Sequence, residues 1–328
     1  MAHTPVRTPA GTPVETAAAS YRPLLFSIAY GMTGSVGDAE DLVQDAFLGM
    51  TKAERAGTTI TAPKAYLTTA VTRLSINHLV SARVRRETYV GDWLPEPLVA
   101  FADAPDGPAE HAELTDAIST ALLVLLETLS PMERAVFVLR EVFGHEYGEI
   151  ARITGKSQAN CRQIVARVRR RIPAAATARP AHDPERRAEG AELARRFFTA
   201  AEGGDLDALL GMLAPDVVFH GDGGGKAQAI SRTVHDPQQT AALLVAGFRR
   251  LRALGARLRP AWVNGAPGVV LYDAEDRVLS VVELDLAEDG RVGAVHSLTN
   301  PDKLGHLGRV SDQGLLPRER RERGESGS

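Results

Sequence analysis

Between Tyr147 and Arg171 stand side chains able to read base edges. Ser157, Gln158, Asn160, Arg162 and Gln163, with Arg167 one turn later, are spaced to share the outer face of one helix. Such groups donate to and accept from bases in a major groove. Between them Cys161 and Ile164 point inward, which makes Cys161 a small core residue rather than a redox site. Gly155 falls where a turn between two helices needs a left-handed residue, and Ala151 is small where the helices cross. The stretch reads as a helix-turn-helix.

The charge layout agrees. The chain of 328 residues has a net charge of −3, yet Lys64 to Arg86 holds five bases and no acid, and Ala151 to Arg171 holds seven bases and no acid. Basic clusters suit a phosphate backbone, because each neutralised phosphate releases counterions. Ser35 to Asp45 has the opposite sign, with Asp38, Glu40, Asp41 and Asp45 and no base. Two basic faces and one acidic face point to a nucleic-acid partner and a basic protein partner. Other chemistry is thinner. His220, Asp222, Asp285 and His296 are titratable groups on or beside expected strands, where one could act as a general base, but no fixed catalytic constellation links them. The glycine-rich run ending at Lys226 is one residue short of a nucleotide-binding loop and lacks the Ser or Thr after lysine. No metal-ligand set or cofactor motif stands out.

These residues need elements to hold them. Helical periodicity covers residues 14–87, with a break at Gly34 to Gly37 and a new helix opened by Asp38; Pro63 begins another. Residues 90–109 read as a proline-rich linker and 110–173 as helical, with a stop and restart at Ser130-Pro131. A second linker spans 174–186. From 187 to 304 the texture changes to two helices, 188–202 and 206–213, then β-like runs at 216–220, 258–263, 268–272, 278–286 and 291–298. That is an α+β domain after two all-α domains, a multidomain fold. Residues 1–13 and 305–328 are expected to be disordered tails, the latter holding Arg318, Arg320, Arg321 and Arg323 as a possible latch. With one cysteine and no apolar run near the roughly 20 residues that span a bilayer, a cytoplasmic protein with no membrane partner is expected.

DAEDLVQDAFL near the start, paired with LSPMERAVFVLREVFGHEYGEIARITGKSQANCRQIVARVRRRI, resembles the two conserved regions of extracytoplasmic-function sigma factors of the sigma-70 family. The resemblance covers about residues 14–171. It implies that Asp38, Glu40, Asp41, Leu42, Gln44, Asp45 and Phe47 dock core RNA polymerase at its β′ clamp helices, with the β flap as a further contact. It also implies that Arg73, Asn77, His78, Arg83, Arg85 and Arg86 face the −10 element, and that the helix-turn-helix reads the −35 element. Asn77 departs from the aspartate common at its place, and Tyr66 is the main aromatic on that helix.

Three further strings, Trp93-Leu94-Pro95-Glu96-Pro97, Asp222-Gly223-Gly224-Gly225-Lys226 and Asn300-Pro301-Asp302-Lys303-Leu304, resemble the subgroup carrying a fused SnoaL-like (NTF2-like) cone. That subgroup implies a regulator acting in cis. The prolines stiffen the first string, Trp93 anchors it, and the glycines of the second allow close approach. The second and third strings are expected to form a docking surface for the first. Cones of this kind hold a pocket, so a small-molecule sensor or a cyclase-like or isomerase-like enzyme is the alternative. A promoter-binding repressor would not need the acidic helix. The free chain is expected to be a monomer.

Overall fold

A computed structural model describes residues 13–86, 89–101, 118–172, 184–230 and 232–316. Side chains 13–19 and 82–86 lie outside the description, as do the segments between these ranges and the two ends.

Three helices open the chain: α1 (Pro13–Thr33), α2 (Val36–Arg55) and α3 (Pro63–Arg86). Gly34 ends the first at φ +65°, and Ser35 caps the second by accepting from the Asp38 amide at 3.2 Å. Helix α2 therefore starts two residues before the expected Asp38. Four helices follow, α4 (Thr120–Leu126), α5 (Pro131–Phe137), α6 (Tyr147–Thr154) and α7 (Gln158–Arg169). A π turn, Val138–Val142, extends α5, whose Ser130 and Glu133 form a capping box. The expected helix over 110–117 lies outside the described residues. Leu25, Ile28, Met50, Leu67 and Val71 of the first set and Leu123, Phe137, Ile150 and Cys161 of the second share one hydrophobic core.

The C-terminal part holds α8 (Pro184–Gly203), α9 (Leu206–Met212) and α10 (Pro237–Ala253) against strands β2 (Leu213–Asp222), β3 (Arg257–Val263), β4 (Ala266–Tyr272), β5 (Val278–Leu286) and β6 (Val292–Leu298). A short strand β1 (Val99–Ala100) pairs antiparallel with β3, giving the order β1-β3-β4-β5-β6-β2; β2 lies parallel to β6 and the other neighbours are antiparallel. Phe197, Leu209, Leu271, Leu284 and Val295 fill the space between the helices and one sheet face.

Three features differ from the expectations above. Helix α10 was not expected. The proline-rich linker contributes a strand to the sheet instead of running free. Residues 305–316 are packed: Ser311 Oγ donates to the buried Asp273 carboxylate at 2.6 Å, Leu315 is buried, and the Leu316 amide bonds to Lys226 O at 2.9 Å. The arginine-rich stretch that follows lies outside the described residues.

Candidate functional site

The helix-turn-helix forms as its residues dictate. Gly155 closes α6 at φ +70°, and the Ser157 hydroxyl caps α7 by accepting from the Asn160 amide at 3.2 Å. Cys161, Ile164, Val165 and Val168 are buried; Ser157, Gln158, Asn160, Arg162, Gln163 and Arg167 are all exposed. Besides the Ser157 cap, three of the six are partly engaged, with Gln158 Oε1 accepting from Arg162 Nη2 at 3.4 Å. Arg162 lies 5.2 Å from the Tyr147 ring centre, and the exposed Arg167 pairs with the half-buried Glu133 at 2.9 Å.

On α2, Glu40, Asp41, Gln44 and Asp45 share an exposed face with Leu48, and Phe47 is half buried. Leu42 is different: with Ala39, Val43 and Ala46 it forms the buried stripe and presents nothing to a partner. Asp38 faces His78 of α3 across 3.2 Å, so these two residues occupy each other. Asn77 is exposed. Arg73 reaches across to the second helical set, donating Nε to Ile153 O at 2.8 Å and Nη2 to Arg152 O at 3.2 Å, at the C-terminal end of α6. The side chains of Arg83, Arg85 and Arg86 lie outside the described residues.

The three short strings meet. Asp222 is fully buried and accepts from the Leu94 amide at 2.9 Å, Lys303 Nζ at 2.7 Å, the Gly224 amide at 3.0 Å and the Tyr89 hydroxyl. Lys303 Nζ also donates to Leu94 O and lies 4.3 Å from the Trp93 ring centre and 4.7 Å from that of Tyr89. A buried ammonium thus has one carboxylate, one carbonyl and two π faces. Asn300 Nδ2 donates to the Tyr89 hydroxyl at 2.7 Å, and burial followed by the neighbouring Asp222 charge pushes that phenol up. Gly224 and Gly225 adopt φ +59° and +71°, and a Cβ on Gly224 would stand 2.3 Å from the Asn300 amide. A Cβ on Gly223 would stand 2.5 Å from Ala227 O. At the rim Lys226 pairs with Asp302 at 2.8 Å and His306 meets Pro97 O at 2.9 Å. Pro301 and Leu304 are buried, and Leu304 packs with Leu94. Tyr89 and His306 belong to this clasp although no local pattern marked them.

The other side of the same linker grips the first helices. Glu96 caps α2: its carboxylate accepts from the Val36 amide at 2.6 Å and the Ser35 hydroxyl at 2.9 Å, while its own amide donates to Gly34 O at 2.8 Å. The Trp93 ring covers Gly34 so closely that a Cβ there would sit 2.4 Å from it, with Pro95 3.4 Å away.

A second buried node lies beside it. Asn264 accepts from the Leu98 amide at 2.8 Å and donates Nδ2 to the Tyr30 hydroxyl at 3.1 Å and the Thr120 hydroxyl at 2.9 Å. Tyr30 donates to Glu96 O at 2.6 Å, and Thr120 to Glu283 Oε2 at 2.5 Å. One node therefore ties α1, α4, the linker and the sheet.

Burial holds the Glu283 carboxyl well above the usual range, so it stays protonated where water would ionise it. A raised pKa stabilises the assembled form fully below the ordinary carboxylate value of about 4.3 and loses that contribution as pH rises through the raised value. Wild type should therefore lose more thermal stability than Glu283→Gln between pH 5 and pH 8. Parallel melting curves over that window would exclude this role.

The titratable candidates share the sheet face turned from the cavity. Successive strand residues alternate, and Gly221 and Ser297 line a cavity under α10, so His220, Asp222 and His296 face the other way, toward the linker. His220 Nδ1 lies 3.2 Å from Asp92, and its ring stacks on that of His296 at 5.3 Å. His296 is buried with neither ring nitrogen partnered among the described residues, and burial draws it down to about 3. Asp285 is half-buried, its carboxyl raised by burial. These groups form no acid–base set inside the cavity.

A basic helix-turn-helix fused to a second helical module with an acidic outer face, both bolted to an α+β cone, defines a multi-part DNA-binding transcription protein. Family models match in that order: Sigma-70 region 2 over residues 18–85, Sigma-70, region 4 over 119–172, and a SnoaL-like domain over 194–297. The ECF RNA polymerase sigma factor SigJ of Mycobacterium tuberculosis is 38% identical over 293 residues, 85% of this chain and 89% of that one. The probable ECF RNA polymerase sigma factor SigI of the same organism is 31% identical, covering 90% and 96%. The crystal structure of SigJ superposes with a TM-score of 0.69 at 34% identity, covering 89% of this chain and 97% of that one. The chain belongs to the extracytoplasmic-function RNA polymerase sigma factors, with a fused SnoaL-like domain. Its function is to bind core RNA polymerase and direct promoter-specific initiation.

Proposed function

We propose that the assembled arrangement is a closed state in which the SnoaL-like domain holds the two DNA-reading modules together through the linker. The observation that carries this reading is the double engagement of residues 93–97, with Leu94 on Asp222 and Glu96 on the start of α2. Distance supports it. The −35 and −10 elements lie about 25 base pairs apart, roughly 85 Å along B-DNA at 3.4 Å per pair. Here Arg73 of one module touches the backbone of the other. Opening frees Arg73 for DNA beside Asn77, and lets Gln158, Asn160, Arg162 and Gln163 reach their own element. Glu40, Asp41, Gln44 and Asp45, with Leu48 and Phe47, then meet the basic clamp helices of β′, where charge sets docking rate and partner choice more than affinity. The second module meets the β flap. No helix among the described residues is long and apolar enough to cross a membrane, and the site of action on this reading is the cytoplasm with the polymerase.

Run-off transcription with core polymerase, alongside small-angle scattering, tests this. Trp93→Ala removes the ring that covers Gly34 and Lys303, and should raise the radius of gyration measurably and the transcript yield several-fold. An expanded protein whose output is unchanged or lower would overturn the inhibitory reading, and an unchanged shape would overturn the clasp.

A further inference from the structure

Tyr147 opens α6, and two guanidiniums lie over its ring. That of Arg140, from the π turn, stands 4.7 Å from the ring centre, and that of Arg162, from α7, stands 5.2 Å away. Arg140 is itself fixed, donating Nη1 to His145 O at 2.9 Å and to Glu146 at 3.3 Å. The ring is half-buried against the helical core, and its hydroxyl makes no hydrogen bond among the described residues. What Tyr147 offers is therefore a π surface, kept in place by the core and by Arg140.

Arg162 and Arg167, both exposed on the outer face of α7, are held differently. Arg167 meets the Glu133 carboxylate, which takes up charge and donors together. Arg162 rests on the ring, which accepts none of its in-plane N–H groups, and beside Gln158, whose Oε1 meets Nη2 at 3.4 Å. Gln158 in turn packs on the start of α6, where a Cβ on Gly148 would stand 3.4 Å from its Nε2. A guanidinium carries five donors in a fixed fork, and guanine presents N7 and O6 to two of them in the major groove. A neighbour that orders the side chain and spares its donors suits such readout, because ordering done beforehand is not charged to binding.

We propose that Tyr147 is a positioning residue for promoter readout, its ring setting the Arg162 guanidinium to take one guanine of the −35 element. This rests on the reading of α7 as the −35 helix, and extends it to a residue outside α7 and to a particular base.

The full chain, joined to core polymerase, would be mixed at fixed salt with promoter DNA randomised over the −35 element, and the bound fraction sequenced. Arg162→Ala should lose the preference at one guanine position by about fivefold or more and leave the other positions alone. Tyr147→Leu should weaken that same position about two- to fivefold, the scale of one exposed cation–π contact. Tyr147→Phe keeps the π surface and should keep the preference. Tyr147→Leu with that position unchanged, or with all positions weakened alike, would overturn the positioning role, the latter outcome marking a merely structural residue. Tyr147→Phe as deficient as Tyr147→Leu would overturn it too, by moving the effect to the hydroxyl. If Arg162→Ala alters no position, Arg162 is not the reader and the proposal fails, whereas a wild type with no preference anywhere in the element would sink the −35 reading itself.

Discussion

Asp222→Ala is expected to cost about 3–5 kcal/mol, the loss typical of breaking one side of a buried ion pair. The carboxylate accepts from four donors, and its removal leaves the Lys303 ammonium buried with one carbonyl and two aromatic faces. The π faces offset only part of the lost charge, about 0.5–2 kcal/mol each. At about 2–4 °C per kcal/mol, the melting midpoint should fall by roughly 6–20 °C. Adding Lys303→Met should restore much of it, because removing both charges together leaves no ammonium that has lost its carboxylate. A double variant as unstable as the single one would mean that shape, not charge, holds the strings together.

Arg134→Met is the second large effect, and it falls on the helical half. Arg134 is 2% exposed and donates to Met32 O at 2.7 Å, Leu126 O at 3.0 Å and Glu127 at 2.6 Å. Met32 lies in the last turn of α1 in the first module while Leu126 and Glu127 belong to the second, so one guanidinium satisfies helix-end carbonyls of both. Methionine keeps the stem and leaves the acceptors bare, at about 3 kcal/mol or more. Hydrogen exchange should speed up in α4 to α7 and at the end of α1, leaving β4 and β5 unchanged. Arg73→Met, by contrast, removes bonds from an exposed side chain and should cost about 1 kcal/mol or less. Similar losses from both would remove the special standing of Arg134.

What the chain discloses by inspection is what local chemistry determines. Gly155, Ser157 and the apolar spacing of Cys161, Ile164 and Val168 specify the helix-turn-helix without help from elsewhere. Strands β4 and β5 do not show the expected alternation and are buried along almost their whole length, because helices cover one sheet face and the linker with α4 covers the other. Helix α10 carried readable signals that went unused: Asp236 caps it, Pro237 sits at its first position, and Ala241, Leu244, Phe248 and Leu251 fall at helical spacing. Residues 305–316 were unreadable for a physical reason. Their order comes from Asp273, Val278 and Lys226, residues far away in the chain, and not from their own propensities. The node at Asn264 is the extreme case. Its partners Tyr30 and Thr120 lie 234 and 144 residues away, so no window of sequence holds both ends of either bond. Leu42 shows the reverse error, where a motif suggested a contact and helical geometry placed the side chain in the core.

The two-residue strand β1 covers the outer edge of β3, where Val99 pairs with Val263 and Ala100 with Trp262. A linker that leaves this position uncovers backbone donors and acceptors that any extended chain can satisfy. The nearest chain of matching shape is the same linker on another molecule. Two opened copies can therefore exchange segments, each helical half resting on its neighbour's cone, with every native contact kept and only the connectivity changed. On the closed-state reading, crowding of opened molecules away from polymerase would favour a reciprocal dimer, and the pairing of Val99 and Ala100 within one chain guards against that.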